Sequence, residues 1–429
     1  MSFYLGIDLG TSGCRTCVID AHGQVQAETR VALGKPRRRG NGLEQDPQDW
    51  WVVLGKALDA LRGEVPLETV AALAIDATSA TLLLADARGR PVTPALMYND
   101  ARAVDQARQI SARAPAESAA HGASSSLAKL LYLQATAAPG SARFALHQAD
   151  WLSGRLAGRF GVTDENNALK LGYDPVTRSW PGWLDELGVE RRLLPKVVPA
   201  GRPIGIMTPA YRRRWGFAPD TRIISGTTDS TAGFIATGAG PGEAVTALGS
   251  TLVLKVRSTR PVFAPDYGVY SHHLGDDWLV GGASNSGGSV LRQFFSQADI
   301  ERLTAGLQPA RPTGLDYYPL VSPGERFPEN NPGLQPRLTP RPADDGLFFQ
   351  GLLEGIAAIE LRGYRLLEQL GAPYPQRVQT VGGGAVNVAW RRIRATLLGV
   401  PVIAARQQEA AYGAALLARQ GLGGAQQTP

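Results

Sequence analysis

The opening of the chain contains the feature that restricts its fold most. The stretch YLGIDLGTSGCRTCVID, Tyr4–Asp20, reads as two β-strands joined by a turn at Gly10 to Gly13. Asp8 stands where a G-x-G-x-x-G dinucleotide-binding loop has its first glycine. Because a carboxylate repels a bare pyrophosphate, this hairpin either binds no phosphate or binds one through a divalent cation.

A second stretch after the middle of the chain repeats this pattern. AVTALGSTLVLKV, residues 244–256, has the same order of strand, glycine and hydroxyl residues, and its LGSTL parallels the LGTSG of the first hairpin. Internal similarity of this kind indicates two related halves. We therefore expect two domains, residues 1–238 and 239–429.

The segments between these hairpins alternate between strand and helix patterns. Residues 45–63 have helical periodicity after an Asp-Pro start, and residues 70–86 read as two strands interrupted by Asp76 to Ser79. Further helices are expected near 101–113 and 125–135, whereas the Pro-rich residues 311–345 read as loop. Such alternation indicates an α/β layer architecture.

Composition and charge restrict the partners. Apolar residues make up 44% of the 429 residues and charged residues 19%, as in soluble globular proteins. No apolar stretch is long enough to span a membrane, and no signal-peptide pattern occurs, so we expect a cytoplasmic protein without a membrane partner. The net charge of +6 is scattered, and its one run, Arg37 to Arg39, reads as a solvated loop. We expect no nucleic-acid partner, and either a monomer or a homodimer.

Other motifs indicate no separate chemistry. Cys14 and Cys17 form a lone C-x-x-C inside a strand pattern, so we interpret them as reduced cysteines rather than as a redox pair or half a zinc site. His272 and His273 are adjacent in a strand pattern and face opposite sides, which favours structural roles. No G-x-x-x-x-G-K-[ST] motif occurs, which excludes the ordinary P-loop nucleotide site.

Three groups of motifs occur in a characteristic order. They are GIDLGTSG near the start, SGTTDSTAGFIATG with ALGST after mid-chain, and GGGAVNVAWRRIRATLLGVPV with EAAYGAALLA near the end. In this order, over nearly the whole chain, they resemble the FGGY family of carbohydrate kinases. The resemblance implies an α/β fold of the actin, hexokinase and Hsp70 ATPase type, with two ribonuclease-H-like domains flanking a nucleotide cleft. It also implies ATP and Mg²⁺ as cofactors.

The resemblance also implies roles for single residues. Asp8 matches the metal-associated aspartate and Asp229 the catalytic base. The matching nucleotide-binding residues are Thr11, Ser12 and Gly13 in the first phosphate loop, Gly249, Ser250 and Thr251 in the second, and Gly383, Gly384, Asn387 and Trp390 at the adenosine. Taken locally, Asp8 could be a turn residue, Asp229 a helix N-cap, and the glycines a means of packing a helix on a sheet.

The sugar is inferred from three segments. DATSAT stands where bacterial xylulose kinases usually have a Gln-Met-His group, and together with YNDAR and NNALKLGYDP it is similar to D-ribulose kinases of cyanobacteria and plants. The substrate-binding candidates are Asp76, Ser79, Asn99, Asp100 and Asp229. We expect phosphorylation of D-ribulose at O5. The alternatives are D-xylulose, another ketose or polyol, or a nucleotide-switched binding protein of the same fold.

Overall fold

The chain forms two compact units. The structure, a computed structural model, describes residues 2–423. The first unit contains the chain up to Ala236 and again from Glu409 onward, and the second contains Thr237–Gln408. No helix within residues 2–423 is long and apolar enough to cross a membrane.

The strands of the first unit form a large sheet, a smaller sheet and an isolated pair. In chain order they are β1 (Phe3–Gly10), β2 (Gly13–Ile19), β3 (Val25–Ala32), β4 (Arg37–Arg39), β5 (Gly42–Gln45), β6 (Val70–Ala77), β7 (Leu82–Ala85), β8 (Ala95–Leu96), β9 (Phe144–His147), β10 (Val162–Asp164), β11 (Lys196–Val198), β12 (Pro203–Ile206) and β13 (Arg222–Ile224). The large sheet has the order β12-β13-β6-β1-β2-β3, in which β6 runs parallel to β1 and β2 antiparallel to it.

The helices of this unit flank the sheets. They are α1 (Pro47–Leu61), α2 (Val104–Ser111), α3 (Ser126–Thr136), α4 (Gln148–Ala157), α5 (Glu165–Ala168), α6 (Trp183–Glu186), α7 (Pro209–Trp215) and α8 (Asp229–Ala236). Helix α1 begins where the Asp46 side chain accepts a hydrogen bond from Gln48 N–H, and it buries Trp50 against the large sheet. The buried apolar side chains between helices and sheets form the core of the unit.

The second unit repeats the same arrangement of central strands. Its strands are β14 (Glu243–Leu248), β15 (Leu252–Ser258), β16 (Tyr270–Leu274), β17 (Asp277–Ser284), β18 (Arg377–Val381) and β19 (Val402–Ala404). Its helices are α9 (Gly288–Phe294), α10 (Gln297–Ala305), α11 (Asp345–Gln369) and α12 (Val388–Leu398). The sheet order is β16-β17-β15-β14-β18-β19. As in the first unit, the first strand of an opening antiparallel hairpin also pairs with a later parallel strand, here β18.

The last helix, α13 (Ala410–Gln420), belongs to the first unit, whereas the predicted boundary assigns it to the second domain. It packs on β1, β6 and α8. Two glycines allow this close approach. A Cβ atom at Gly6 would lie 1.8 Å from the carbonyl oxygen of Ala411, and one at Gly413 would lie 1.9 Å from that of Ala232.

Most local expectations are confirmed. The opening hairpin pairs Gly10 with Gly13 at its tip, and α1 lies within the predicted residues 45–63. The run Arg37–Arg39 was expected as a loop but forms the exposed strand β4, because it pairs with β5 at the edge of the smaller sheet. In β16 the burial alternates, so that His273 is buried and His272 only partly buried.

The two cysteines are unpaired and buried in β2. Burial raises the pKa of both thiols, to about 12 for Cys17, because a thiolate is poorly solvated there. Since the thiolate is the reactive form, neither cysteine is a nucleophile near neutral pH.

Candidate active site

Three carboxylates come together at one end of the large sheet in the first unit. Asp8 near the end of β1 is the direct parallel neighbour of Asp76 near the end of β6, so both side chains leave the same face of the sheet. Asp229 follows Thr228, whose backbone bridges Ala77 at the end of β6. The carboxyl ends of parallel strands are the usual ligand-binding edge of α/β sheets.

Asp76 is the most unusual member of this cluster. It is fully buried, and neither of its carboxylate oxygens has an N–H or hydroxyl donor among residues 2–423. Burial raises the pKa of Asp76 well above its ordinary value, and the negative charges of Asp8 and Asp229 and a hydrogen bond with the Asp8 carboxyl raise it further. A buried carboxylate without donors is costly unless a cation or a donor from a ligand joins it.

Asp8 forms an ion pair with a neighbouring arginine. Nη1 of Arg15, its antiparallel neighbour on β2, donates to Oδ2 of Asp8 at 2.9 Å. Burial raises the pKa of Asp8, and the charge and hydrogen bond of Arg15 oppose that rise. The turn alternative for Asp8 does not fit this geometry, because the residue lies inside β1 rather than in the turn.

Asp229 is the first residue of α8 and is partly exposed. Its Oδ1 accepts a hydrogen bond from the N–H of Ser230 at 2.6 Å. The preceding residue, Thr228, takes the capping position, since its carbonyl accepts from Thr231 and Ala232. Asp229 therefore has a carboxylate at a helix N-terminus, where the helix dipole favours negative charge.

The sugar-side candidates differ in their surroundings. Ser79 is partly buried in the loop after β6, and Asn99 is exposed. Asp100 is fully buried, and it accepts hydrogen bonds from Leu43 N–H at 2.7 Å and from the Arg102 guanidinium at 2.7 to 3.0 Å. These donors contact both oxygens of Asp100, so this carboxylate holds its own loop together, and its predicted contact with the sugar stays a prediction.

The first predicted phosphate loop is the tip of the β1–β2 hairpin. Ser12 is exposed there, and its carbonyl accepts from Leu33 N–H at 2.8 Å, while the carbonyl of Thr11 accepts from the Gln45 side chain at 3.3 Å. A Cβ atom at Gly13 would lie 2.7 Å from the carbonyl oxygen of Val31. Glycine is therefore required at this position for the hairpin to pack on β3.

The second predicted phosphate loop, Gly249 to Thr251, joins β14 and β15 in the second unit. It packs against the start of α9, where the N–H of Gly288 donates to the carbonyl of Gly249 at 2.9 Å. The Arg292 side chain donates to the hydroxyl of Ser250 at 3.1 Å. The loop thus brings hydroxyls, a helix N-terminus and a guanidinium together, which are groups that bind phosphate.

The adenosine candidates lie in the turn after β18 and at the start of α12. Gly383 is exposed. The Asn387 side chain caps α12 by accepting from Trp390 N–H at 2.9 Å, and it donates to Thr304. Trp390 is buried, and its indole N–H donates to the carbonyl of Leu353 at 3.0 Å. Since a Cβ atom at Gly384 would lie 2.7 Å from the Trp390 ring, the indole packs directly against this turn, and its predicted contact with the base stays a prediction.

Comparison with known proteins now identifies the family. Residues 3–236 match the N-terminal domain, and residues 244–420 the C-terminal domain, of the FGGY family of carbohydrate kinases. The chain belongs to this family. It is thus a sugar kinase acting on a small-molecule sugar, as the motif order predicts.

Individual relatives span almost the whole chain. The xylulose kinase of Escherichia coli (strain K12) is 28% identical over 414 residues, which cover 92% of this chain and 85% of the relative. A solved "xyloylose kinase" from Brucella ovis has a TM-score of 0.89 at 25% identity, covering 99% and 91% of the two chains. The gluconate kinase from Lactobacillus acidophilus has a TM-score of 0.86 at 19% identity, covering 99% and 90%. These structures confirm the predicted two-domain kinase fold, which does not by itself determine the sugar.

FGGY kinases use ATP with Mg²⁺, and the carboxylates of this chain fit that metal. No group of three His, Cys, Asp or Glu side chains within residues 2–423 is arranged to hold a metal ion unaided. Proteins usually bind Mg²⁺ through one or two carboxylates, with phosphate oxygens and water completing the shell. Asp8 and Asp76 are two buried carboxylates of this kind, and Asp76 has no N–H or hydroxyl donor among residues 2–423.

Two polar residues of this region are not identified by the sequence patterns. Arg15 pairs with Asp8, and counting residues outward from the Gly10 to Gly13 turn places these two opposite each other. Gln148 at the start of α4 is fully buried, and its Oε1 accepts from the Thr78 hydroxyl at 2.7 Å. Nothing in the local sequence indicates Gln148, because its partner lies far away in the chain, in the loop after β6.

Proposed function

We propose that this kinase transfers the γ-phosphoryl group of ATP to a hydroxyl of a free ketopentose, with D-xylulose as the first candidate and D-ribulose as the second. The observation that supports the chemistry best is the cluster of Asp8, Asp76 and Asp229, in which Asp76 is fully buried without an N–H or hydroxyl donor among the described residues. Phosphoryl transfer requires positioning, charge neutralisation and a carboxylate that accepts the proton of the acceptor hydroxyl.

Each carboxylate takes a different role in this proposal. Asp229 accepts the hydroxyl proton, because it is the least buried of the three and begins a helix rather than lying inside a strand. Asp8 and Asp76 would hold Mg²⁺, which when bound would neutralise phosphate charge. The backbone and hydroxyl groups of the two hairpin tips, Thr11 to Gly13 and Gly249 to Thr251, bind phosphate oxygens.

The adenosine contacts come from the glycine turn of the second unit. Gly383 offers exposed backbone, and Gly384 allows the turn to lie close to Trp390. Asn387 fixes the start of α12. In this proposal Trp390 acts only through the turn that it supports.

The order of the two sugars follows from opposing indications. Relatives named xylulose kinase match this chain over most of its length, which favours D-xylulose. The loop DATSAT, residues 76–81, lacks the Gln-Met-His group usual in bacterial xylulose kinases, which favours D-ribulose. The similarity to these relatives extends over most of the chain, whereas the loop is one corner of the site. We therefore rank D-xylulose first.

A coupled ATP-consumption assay with free sugars tests this ranking. The panel contains D-xylulose, D-ribulose, other ketoses, gluconate and glycerol at matched concentrations. We expect D-xylulose to give the highest kcat/KM. A tenfold lead for D-ribulose, about 1.4 kcal/mol of transition-state preference, would reverse the order. Sugar-independent ATP hydrolysis without phosphorylation of any panel member would contradict the proposed function.

A further inference from the structure

Lys129 of α3 is a buried charge that the proposed chemistry does not use. Its side chain is fully buried, and no carboxylate within the described residues lies in ion-pair distance of its ammonium. Burying an ammonium group without a counter-ion is costly, and an apolar side chain of similar length would avoid that cost. The fold therefore holds this lysine against an energetic penalty.

The ammonium group instead joins three separate loops through their backbone. Nζ donates to the carbonyl oxygens of Ala80 at 2.8 Å, Tyr98 at 3.2 Å and Ser124 at 2.7 Å. The first two loops carry the sugar-side candidates Ser79 and Asn99, which directly precede Ala80 and follow Tyr98. All three N–H donors of the ammonium are thus used, one for each loop.

Ala80 shows that at least one of these loops is held in an unfavourable conformation. Its φ angle is +66°, in the left-handed region that non-glycine residues rarely adopt. Such backbone persists only where the surroundings hold it. The hydrogen bond from Lys129 to the Ala80 carbonyl is a direct restraint on this turn, which connects Asp76 and Ser79 to β7.

We propose that Lys129 is a positioning residue for the sugar, which fixes the loops around Ser79 and Asn99 in one arrangement without contacting the substrate. This inference rests on the proposed function, since it takes those loops as the sugar side of the site. Misplacement of binding groups by about 1 Å can lower the rate about a hundredfold, so a restraint shared by two such loops has a large effect.

The charge state of Lys129 supplies a distinctive signature. Burial lowers the pKa of Lys129 to about 7; Asp100 favours the charged form and Lys170 disfavours it. Above that pH the amine retains only two N–H donors, so one of the three carbonyls loses its hydrogen bond. The sugar KM of the parent is therefore expected to rise as the pH increases through about 7.

The test compares Lys129→Met with the parent and with Leu133→Ala. Methionine keeps the length of the stem and removes the ammonium. Leu133 is a buried residue of the same helix that packs in the core, so its truncation destabilises the unit without removing a loop contact. We expect Lys129→Met to raise the KM for the best sugar of the panel about tenfold or more, with the ATP KM changed less than about twofold.

Two further readouts separate positioning from loss of stability. Hydrogen exchange should accelerate in residues 78–81, 97–101 and 122–125 of Lys129→Met, but not selectively in Leu133→Ala. The rise of sugar KM with pH should be absent in Lys129→Met and present in Leu133→Ala. If Lys129→Met does not fold, Lys129→Arg, which keeps the charge but rearranges the donors, should show the same contrast between sugar and ATP.

The outcomes distinguish this inference from the proposed function. An unchanged sugar KM, or an equal rise in Leu133→Ala, overturns the positioning role while leaving the kinase assignment intact. If the parent phosphorylates no sugar of the panel, the proposed function fails. Hydrogen exchange then still decides whether Lys129 restrains the three loops, and unchanged exchange rejects that restraint.

Discussion

Asp76 in the first unit and Glu360 in the second are both carboxylates with 0% exposure, yet their surroundings are opposite. Glu360 accepts hydrogen bonds from the Arg394 guanidinium at 2.6 and 2.7 Å and from the Thr246 hydroxyl at 2.5 Å. Asp76 has no N–H or hydroxyl donor among the described residues. The comparison separates two buried carboxylates, one satisfied by a cation and a hydroxyl of the protein itself and one that, in the proposed function, a bound cation satisfies.

The two units place these groups at corresponding points of the same topology. Asp8 and Asp76 pair across the first and fourth strands, β1 and β6, two residues before the end of the opening strand. At the matching places of β14 and β18 are Thr246 and Thr380. The threonines hydrogen-bond to the Glu360 and Arg394 side chains, whereas of the two aspartates only Asp8 has a cationic partner, Arg15. The corresponding sheets thus carry a network satisfied by the protein itself in the second unit and a cluster of acidic side chains in the first.

The largest expected effect is on turnover, from removing the charge of Asp229. Asp229→Asn keeps the shape of the side chain and its place at the start of α8, but it cannot accept the substrate proton. We expect kcat to fall on the order of a thousandfold, because general-base contributions are typically about 10²- to 10⁴-fold. Equilibrium binding of sugar and ATP should change much less. Turnover within about fivefold of the parent would remove Asp229 as the base.

The next effect is on stability and concerns the buried ion pair between Glu360 and Arg394. Arg394→Met leaves Glu360 buried without its cation, which typically costs about 3 to 5 kcal/mol of unfolding free energy. We expect a loss in that range by chemical denaturation. The double variant Arg394→Met with Glu360→Leu should recover much of it, because no charge then remains buried. A single variant as stable as the parent would mean that the pair contributes little.

A smaller effect on turnover is expected from replacing Asp8, which belongs to the cluster of Asp8, Asp76 and Asp229. Asp8→Ala should lower kcat about a hundredfold and weaken the dependence of rate on Mg²⁺ concentration, with the fold intact. Circular dichroism and a Mg²⁺ titration at saturating ATP and sugar are the measurements. Near-normal turnover with an unchanged Mg²⁺ titration would show that Asp8 does not hold the metal.

The smallest effect is a change in the pH dependence of stability. The pKa of Asp76 is raised in the folded protein, so the folded chain binds a proton that the unfolded chain has lost. The contribution of Asp76 to the free energy of unfolding is therefore most favourable at low pH. It is lost as the pH rises through the pKa that Asp76 has in the folded protein. In metal-free buffer Asp76→Asn should be more stable than the parent at pH 7, by about 1 kcal/mol, and the gain should shrink at pH 4. An equal stability change at both pH values would exclude this effect.

The local parts of the fold and site could be predicted from sequence because neighbouring residues determine them. The Gly10 to Gly13 turn specifies the first hairpin, and the order of motifs identifies Asp8 and Asp229 as candidates. The pairing of Asp8 with Asp76 depends on strands far apart in the chain, whose register no local pattern specifies. The burial of Trp390 and the hydrogen bond from Leu43 N–H to Asp100 likewise depend on tertiary packing.

The placement of α13 has a consequence for how the protein is made. This helix covers β1 beside Gly6, but it is synthesised after all of the second unit. During translation one face of the large sheet therefore lacks its covering helix until the ribosome has synthesised residues 237–408. Domains generally fold as units as they emerge from the ribosome. Here the first unit can complete its folding only after the second unit has been synthesised.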